Sequence, residues 1–184
     1  MNTLGYLNQV ICEVTLHFGS KTTGVLKSGG TMNNRVDLAL LLSTSAMKGD
    51  NPEDTRLLKS MFKEARRYLL SFNWCREIKK SWFGWGVGGV CAVFLFEIIP
   101  AKKNVDRWLW VVVGDLPSAY LVLDGNSTPM KALDTYVELM QEWVEAVKQG
   151  KRTNKLIPVD APETMENADL LERRLAFLRK KVLY

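Results

Sequence analysis

FGWGVGGVCAVFLFEIIP, residues 83–100, is the stretch on which the reading of this chain turns. Its first half, Gly84-Trp85-Gly86-Val87-Gly88-Gly89, spells G-x-G-x-x-G, the pattern that cradles phosphates in dinucleotide enzymes and covers ATP in kinases. A dinucleotide fingerprint requires a helix directly after the glycines, because its N-terminal N–H groups hold the pyrophosphate. Here the glycines lead into VCAVFLFEII, β-branched and aromatic in the manner of a strand. A kinase glycine loop does join two antiparallel strands, but it needs a lysine on the second strand and catalytic and metal-binding Asp loops. Residues 90–99 hold no lysine, and H-R-D, D-F-G and G-x-x-x-x-G-K-[ST] are all missing from the sequence. The stretch therefore predicts a hairpin, with Gly84, Gly86, Gly88 and Gly89 at the turn supplying positive-φ positions.

Working outward, four strand-like segments follow one another at about 77–85, 90–99, 107–113 and 119–123. The linkers are the glycine stretch, PAKKNVD and GDLPS. Such short links imply antiparallel hairpins, hence a four-stranded meander. The second strand is apolar on both faces, which suits a central position under helices on at least one side.

Helices bracket this sheet. Asn51-Pro52 with Glu53 and Asp54 is a helix start: a capping residue, a proline where its missing N–H costs nothing, and acids favoured by the dipole. Leu57, Leu58, Met61, Ala65, Tyr68, Leu69 and Phe72 form its apolar stripe, and Arg56, Lys59, Lys63, Arg66 and Arg67 make the other side basic. That basic side is either a solvated face or a docking surface for an acidic partner. Thr128-Pro129 opens a long helix ending at Gly150, with Asp134, Glu138, Glu142 and Glu145 along one acidic edge. A last helix spans about 162–181, acidic near its start and basic near its end. Upstream, residues 33–49 resemble a short apolar helix. Residues 1–18 fit a helical stripe and a strand alternation alike, and the Gly/Ser/Thr-rich loop after them makes 1–31 a loosely attached extension. Whether the native start is Met1 or Met32 stays open. The array is α+β: an antiparallel four-stranded meander packed against N-terminal and C-terminal helices, read as one domain over 1–184.

A chain of 184 residues suffices for one substantial core. The net charge of +5 is too mild for a nucleic-acid footprint, so nucleic acid is not the expected partner. Three cysteines, Cys12, Cys75 and Cys91, have no metal-type spacing, and their odd number favours reduced thiols in the cytoplasm. The first residues lack a basic start followed by an apolar core. The longest apolar-rich run, 87–100, contains Glu97 and is shorter than the roughly 20 residues a membrane span requires. A soluble cytoplasmic protein is expected.

His17 is the only histidine, which excludes sites needing two His ligands and argues against a zinc site of common type. Cys75, in NWCREIKK, has cationic neighbours that would lower a thiol pKa, although an ordinary half-buried cysteine fits as well. Gly114-Asp115-Leu116-Pro117 reads as a turn, with Asp115 accepting from turn N–H groups. Alternatively Asp115, Ser118 and Tyr120 line a pocket beside Trp108 and Trp110. Five of the six tryptophans fall between 74 and 110, so several share one sheet face. Under helices they are core; left open they are an anchor surface, with Trp82 and Trp85 the most exposed.

The segment DRWLWVVVGDLPSAYLVLDGNSTPMKALDTYVELMQEWVEAVKQG, with IPVDAPETMENADLLERRLAFL after it, resembles a family of uncharacterised bacterial proteins. In that family a W-V-V-V-G-D-L-P-x-A-Y block precedes a Y-x-x-L-M-x-x-W-V helix. The resemblance covers about the last 80 residues and implies a bacterial source and a shared fold. It carries over no activity and no catalytic residue.

The expectation is a non-enzymatic module that binds another protein, inhibitory or immunity-like by analogy of class, and that needs no cofactor or metal. Its surface is the glycine turn with Trp82 and Trp85, together with Asp115, Leu116 and Pro117. Asp134, Glu138, Glu142 and Glu145 would instead meet a basic partner. The alternative is a small-molecule-binding protein or enzyme, its pocket lined by Trp108, Trp110, Tyr120 and Tyr136 with Asp115 as the polar group.

Overall fold

The computed structural model describes residues 36–103, 105–123 and 127–183, all within the compact unit Met32–Tyr184. The readings of residues 1–18 and 19–31, of Cys12 and His17, and of a start at Met32 lie outside the described residues.

Five strands form one antiparallel sheet in sequence order: β1 Leu42–Ser43, β2 Cys75–Val87, β3 Cys91–Pro100, β4 Trp108–Gly114 and β5 Leu116–Val122. The class is α+β and the sheet is a meander, but it has five strands rather than four. The addition comes from residues 33–49, where a helix was expected. A single 3-10 turn, Leu38–Leu40, is capped by the Asp37 carboxylate, which accepts the Ala39 N–H at 3.0 Å. The chain then extends so that Leu42 pairs with Phe83 and Ser43 with Trp82. Two local causes oppose the helix. Leu38, Leu40 and Leu42 remain exposed, while Leu41 and Met47 pack into different cores, which one helical stripe could not do. Ser43, Thr44 and Ser45 satisfy one another and the sheet instead, through Ser43–Ser45 at 2.8 Å and Thr44–Ser81 at 3.0 Å.

β3 is the middle strand, and Cys91 through Ile98 are all buried. Its alternate residues enter two separate cores. Ala92, Phe94, Phe96 and Ile98 meet helix α1, Pro52–Leu70, through Leu58, Met61, Ala65 and Leu69. Cys91, Val93 and Leu95 meet α2, Pro129–Lys148, whose outer flank carries α3, Met165–Leu178. The sheet is thus covered on both sides. Each helix begins at a side-chain cap: Asn51 accepts from the Asp54 N–H at 2.9 Å, Thr128 from Lys131 at 3.2 Å, and Thr164 from Asn167 at 3.2 Å. Past Leu178 the chain continues through a wider π-helical turn, Arg179–Leu183.

The hairpin reading of residues 83–100 holds in outline and shifts in detail. Gly84 and Gly86 lie inside β2. The turn is confined to Val87–Val90, closed by Val90 N–H donating to the Val87 carbonyl at 3.0 Å, and of the four glycines only Gly89 has positive φ, +76°. Gly86 serves packing: a Cβ there would lie 2.8 Å from the Ala92 Cβ and 3.0 Å from Leu58 of α1.

Of the tryptophans, Trp110 is the largest fully buried side chain, at the centre of the α2-facing core. Trp110→Ala is expected to cost about 3–5 kcal/mol, whereas Trp85→Ala, at a half-buried position on the same face, costs clearly less. Guanidinium denaturation followed by circular dichroism checks this, and equal losses would contradict the burial order.

Candidate protein-docking groove

The glycine turn cannot act as a phosphate cradle, because its donors are already engaged within the chain. The Gly88 N–H donates to Asp54 Oδ1 at 2.6 Å, and the other oxygen of that carboxylate accepts from the Asp50 N–H at 2.9 Å. The Gly89 N–H is directed at the Met61 sulfur, 3.2 Å away. An incoming phosphate would have to displace a fixed carboxylate, against charge repulsion. The same bond ties the hairpin to the first turn of α1.

The β2–β3 and β4–β5 hairpins end side by side, stitched by the Asp115 N–H donating to the Val90 carbonyl at 3.0 Å. Gly114 makes this approach feasible: its φ is +150°, and a Cβ would sit 2.3 Å from the Val90 oxygen. The GDLP link is shorter than its sequence implies. Gly114 pairs with Leu116, so Asp115 alone lies between the strands, and Leu116 and Pro117 belong to β5. Pro117 is tolerated there because β5 is the last strand of the sheet.

Asp115 accepts a two-pronged contact from Arg174 of α3, Nε to Oδ2 at 2.9 Å and Nη2 to Oδ1 at 3.2 Å. This fork stands between two open grooves. One, of about 270 Å³, is lined by Val90, Leu116, Arg173, Phe177 and Leu178. The other, of about 390 Å³, is lined by Pro117, Trp143, Val159, Asp160 and Leu170. Phe177 is 51% exposed and Leu170 38%, and Val87 at the glycine hairpin is 44% exposed. α3 therefore has a second apolar stripe, distinct from the Ala168, Leu171, Leu175 and Leu178 that it buries. Sequence reasoning missed α3 here; the available signal was the Leu170–Arg174–Phe177 spacing, which puts all three on one side of the helix.

The other candidate residues scatter. Trp82 and Trp108 stack with ring centroids 5.3 Å apart, half-buried on the α2 side, and Trp85 packs on the same face. Trp82 and Trp108 lie along the strands, away from the hairpin tips that bring Asp115, Leu116 and Gly89 together, whereas Trp85 is two residues from the turn but lines neither groove there. Trp110 and Tyr136 are fully buried, and the Tyr136 hydroxyl donates to the Pro117 carbonyl at 2.7 Å. Tyr120 is on the opposite face, edge-on to Trp74 at 5.0 Å and to Phe72 at 5.4 Å. Ser118 also turns toward α1, donating to Glu64 at 3.3 Å. The sheet therefore separates Tyr120 from Trp108, Trp110 and Tyr136, and the last two are filled core, so the four line no common pocket.

Glu138, Glu142 and Glu145 form an exposed acidic edge on α2, with Asp134 half-buried beside them. The ionic link between α2 and α3 is made instead by Lys148, 2.7 Å from Asp169 and 2.8 Å from Glu172, hydrogen bonds that raise the ammonium pKa. The acid inside β3, Glu97, is buried and reaches the exposed Arg107 at 3.1 Å and Lys79 at 3.4 Å.

Cys75 does not have the lowered pKa that its cationic neighbours suggested. It is buried, and burial raises its thiol pKa. Burial pushes Cys91 from 9.0 to about 12 and holds Tyr68 and Tyr136 above the ordinary phenol range. Among the described residues no three His, Cys, Asp or Glu side chains converge to hold a metal, and no helix is long and apolar enough to cross a membrane. Compared with protein families, with curated proteins and with solved structures, the chain has no match in any of the three.

The raised thiol and phenol values fix a pH dependence. The folded chain keeps protons that the unfolded chain releases, so stability is fully present below pH 9 and declines as pH rises from 9 toward 12. Urea titrations across that range should show a falling midpoint. In a chain with Cys12 replaced by Ser, labelling by a thiol-specific disulfide reagent at pH 8 should be on the order of a hundredfold slower when folded than when unfolded. Equal rates would contradict the burial of Cys75 and Cys91.

Proposed function

We propose that the chain is a non-enzymatic binding module that recognises another protein at the end of its sheet, where the two hairpins meet α3. The observation that carries this reading is the exposure of Phe177 and Leu170 in open grooves on either side of the Asp115–Arg174 fork. Large apolar side chains beside an arginine, rimmed by polar groups, have the composition of interface hot spots. The site supplies few convergent titratable groups: Asp115 is engaged by Arg174, and Arg173 and Asp160 line different grooves. That favours contact over chemistry. The docking surface keeps Asp115, Leu116, Pro117 and the glycine turn, adds α3, and omits Trp82 and Trp85.

An inhibitory or immunity-like role, in which the surface covers a functional site on its partner, fits such a module by analogy of class. The cytoplasm is its proposed compartment, in keeping with the free thiols of Cys75 and Cys91. The proposed source is bacterial and rests on the resemblance of the last 80 or so residues. α2 itself contributes no exposed large apolar side chain to set beside its acidic edge, and the basic face of α1 is partly engaged, with Arg56 forked onto Glu53 at 2.6 and 2.8 Å.

The test is affinity capture by the tagged chain from bacterial lysate at low and moderate salt, read by mass spectrometry. One stoichiometric protein should survive moderate salt on the native chain. It should be lost from a Leu170→Asp/Phe177→Asp variant of unchanged circular dichroism. An empty bait, together with a metabolite that raises the Tm in a thermal-shift screen, would overturn the reading in favour of small-molecule binding.

A further inference from the structure

Resting on that reading, the geometry points to the kind of partner segment the groove takes. We infer that it is an amphipathic helix with two apolar anchors seven residues apart, running antiparallel to α3.

The spacing comes from α3. Leu170, Arg174 and Phe177 follow one another at i, i+4 and i+7, so the two exposed apolar groups lie about 10 Å apart along the helix axis. The Asp115–Arg174 fork stands between them and divides the groove into two lobes, each with one of these groups in its wall. A partner must therefore deliver two apolar side chains about 10 Å apart and pass over a neutralised ion pair between them. Positions i and i+7 of a helix meet this spacing. An added strand suits the site poorly: the turn N–H groups of Val90 and Asp115 are already paired, and on the edge strand β5 Pro117 has no N–H to give and its carbonyl accepts from Tyr136.

The direction comes from charge. The Phe177 lobe is lined by Arg173, and the exposed Arg179, Lys180 and Lys181 follow directly in the chain. The Leu170 lobe is lined by Asp160, and the exposed Glu163 and Glu166 lie toward that end of α3. Asp169 and Glu172 share the single ammonium of Lys148, which leaves one net negative charge among the three. Complementarity places acidic residues of the partner beside Phe177 and basic residues beside Leu170. A helix carrying acids near its N-terminus and bases near its C-terminus is the arrangement its own dipole favours. Laid on this charge gradient, such a helix runs antiparallel to α3.

The probe is a phage-displayed library of alanine-rich helical peptides with Leu, Phe or Trp at i and i+7. Glu, Lys and Ala are randomised around both anchors, and the library is panned on the full chain. Enrichment of Glu around the first anchor and Lys around the second is expected. A selected peptide should bind at least about tenfold more weakly, by fluorescence anisotropy, when its charges are exchanged end for end. It should weaken similarly on Phe177→Ala or Leu170→Ala chains. No enrichment, equal binding of the exchanged peptide, or indifference to both substitutions overturns the inference. A captured partner that depends on Leu170 and Phe177 but presents no such helix also overturns it, while leaving the protein-binding reading standing.

Discussion

Everything in this fold follows from the need to cover β3 twice. Phe94, Phe96 and Ile98 point to one side and Val93 and Leu95 to the other, and none has surface left in water. Each such side chain contributes about 1.5–3 kcal/mol when removed from water. Covering only one face would forfeit roughly half of that gain and leave an apolar sheet open to association. α1 covers one side, while α2, flanked by α3, covers the other. β3 is accordingly the central strand, with two strands on each side of it.

That constraint also determines where a partner can bind. Both sheet faces and most of the aromatic side chains are committed to the two cores, including Trp110 and Tyr136, which were candidates for a pocket. Exposed large apolar side chains remain around β1, at Leu38, Leu40 and Leu42, and at the end of the sheet and the outer flank of α3, where Leu170 and Phe177 border grooves. The hairpin tips there are held by close contacts: Asp54 on Gly88, Val90 on Asp115, and Arg174 on Asp115. The docking surface proposed there would, with such links, change shape little on binding, which would limit the entropic cost of association.

Polar groups inside the fold are each given partners. Glu97 interrupts the apolar run of β3 and keeps its charge compensated by Lys79 and Arg107, whose outer ends remain in water. The Asp54 carboxylate occupies the Gly88 N–H, and the Met61 sulfur faces the Gly89 N–H, two donors that a phosphate would need. A glycine motif that looks like a ligand site in one dimension is thus a structural joint in three.

Local physics made much of this legible in the sequence. Asn51-Pro52 and Thr128-Pro129 start helices through the side-chain oxygens that receive their first N–H groups. The apolar, β-branched run after Gly89 had to be a strand, and its short links had to make antiparallel neighbours. The two-residue strand at Leu42–Ser43 was not legible, since it exists only because the edge of β2 offers it pairing. Nor was the separation of Tyr120 from Trp110: residues on adjoining strands reach opposite faces according to register, and the irregularity between Val112 and Gly114 resets that register. The raised pKa of Cys75 and the meeting of Asp115 with Arg174, 59 positions apart, are likewise consequences of packing. Sequence alone determined the helices α1 to α3 and the strands β2 to β5, because caps, turns and periodicity act over a few residues. Tertiary structure alone decided the groove, because its walls come from segments that only the two-sided burial of β3 brings together.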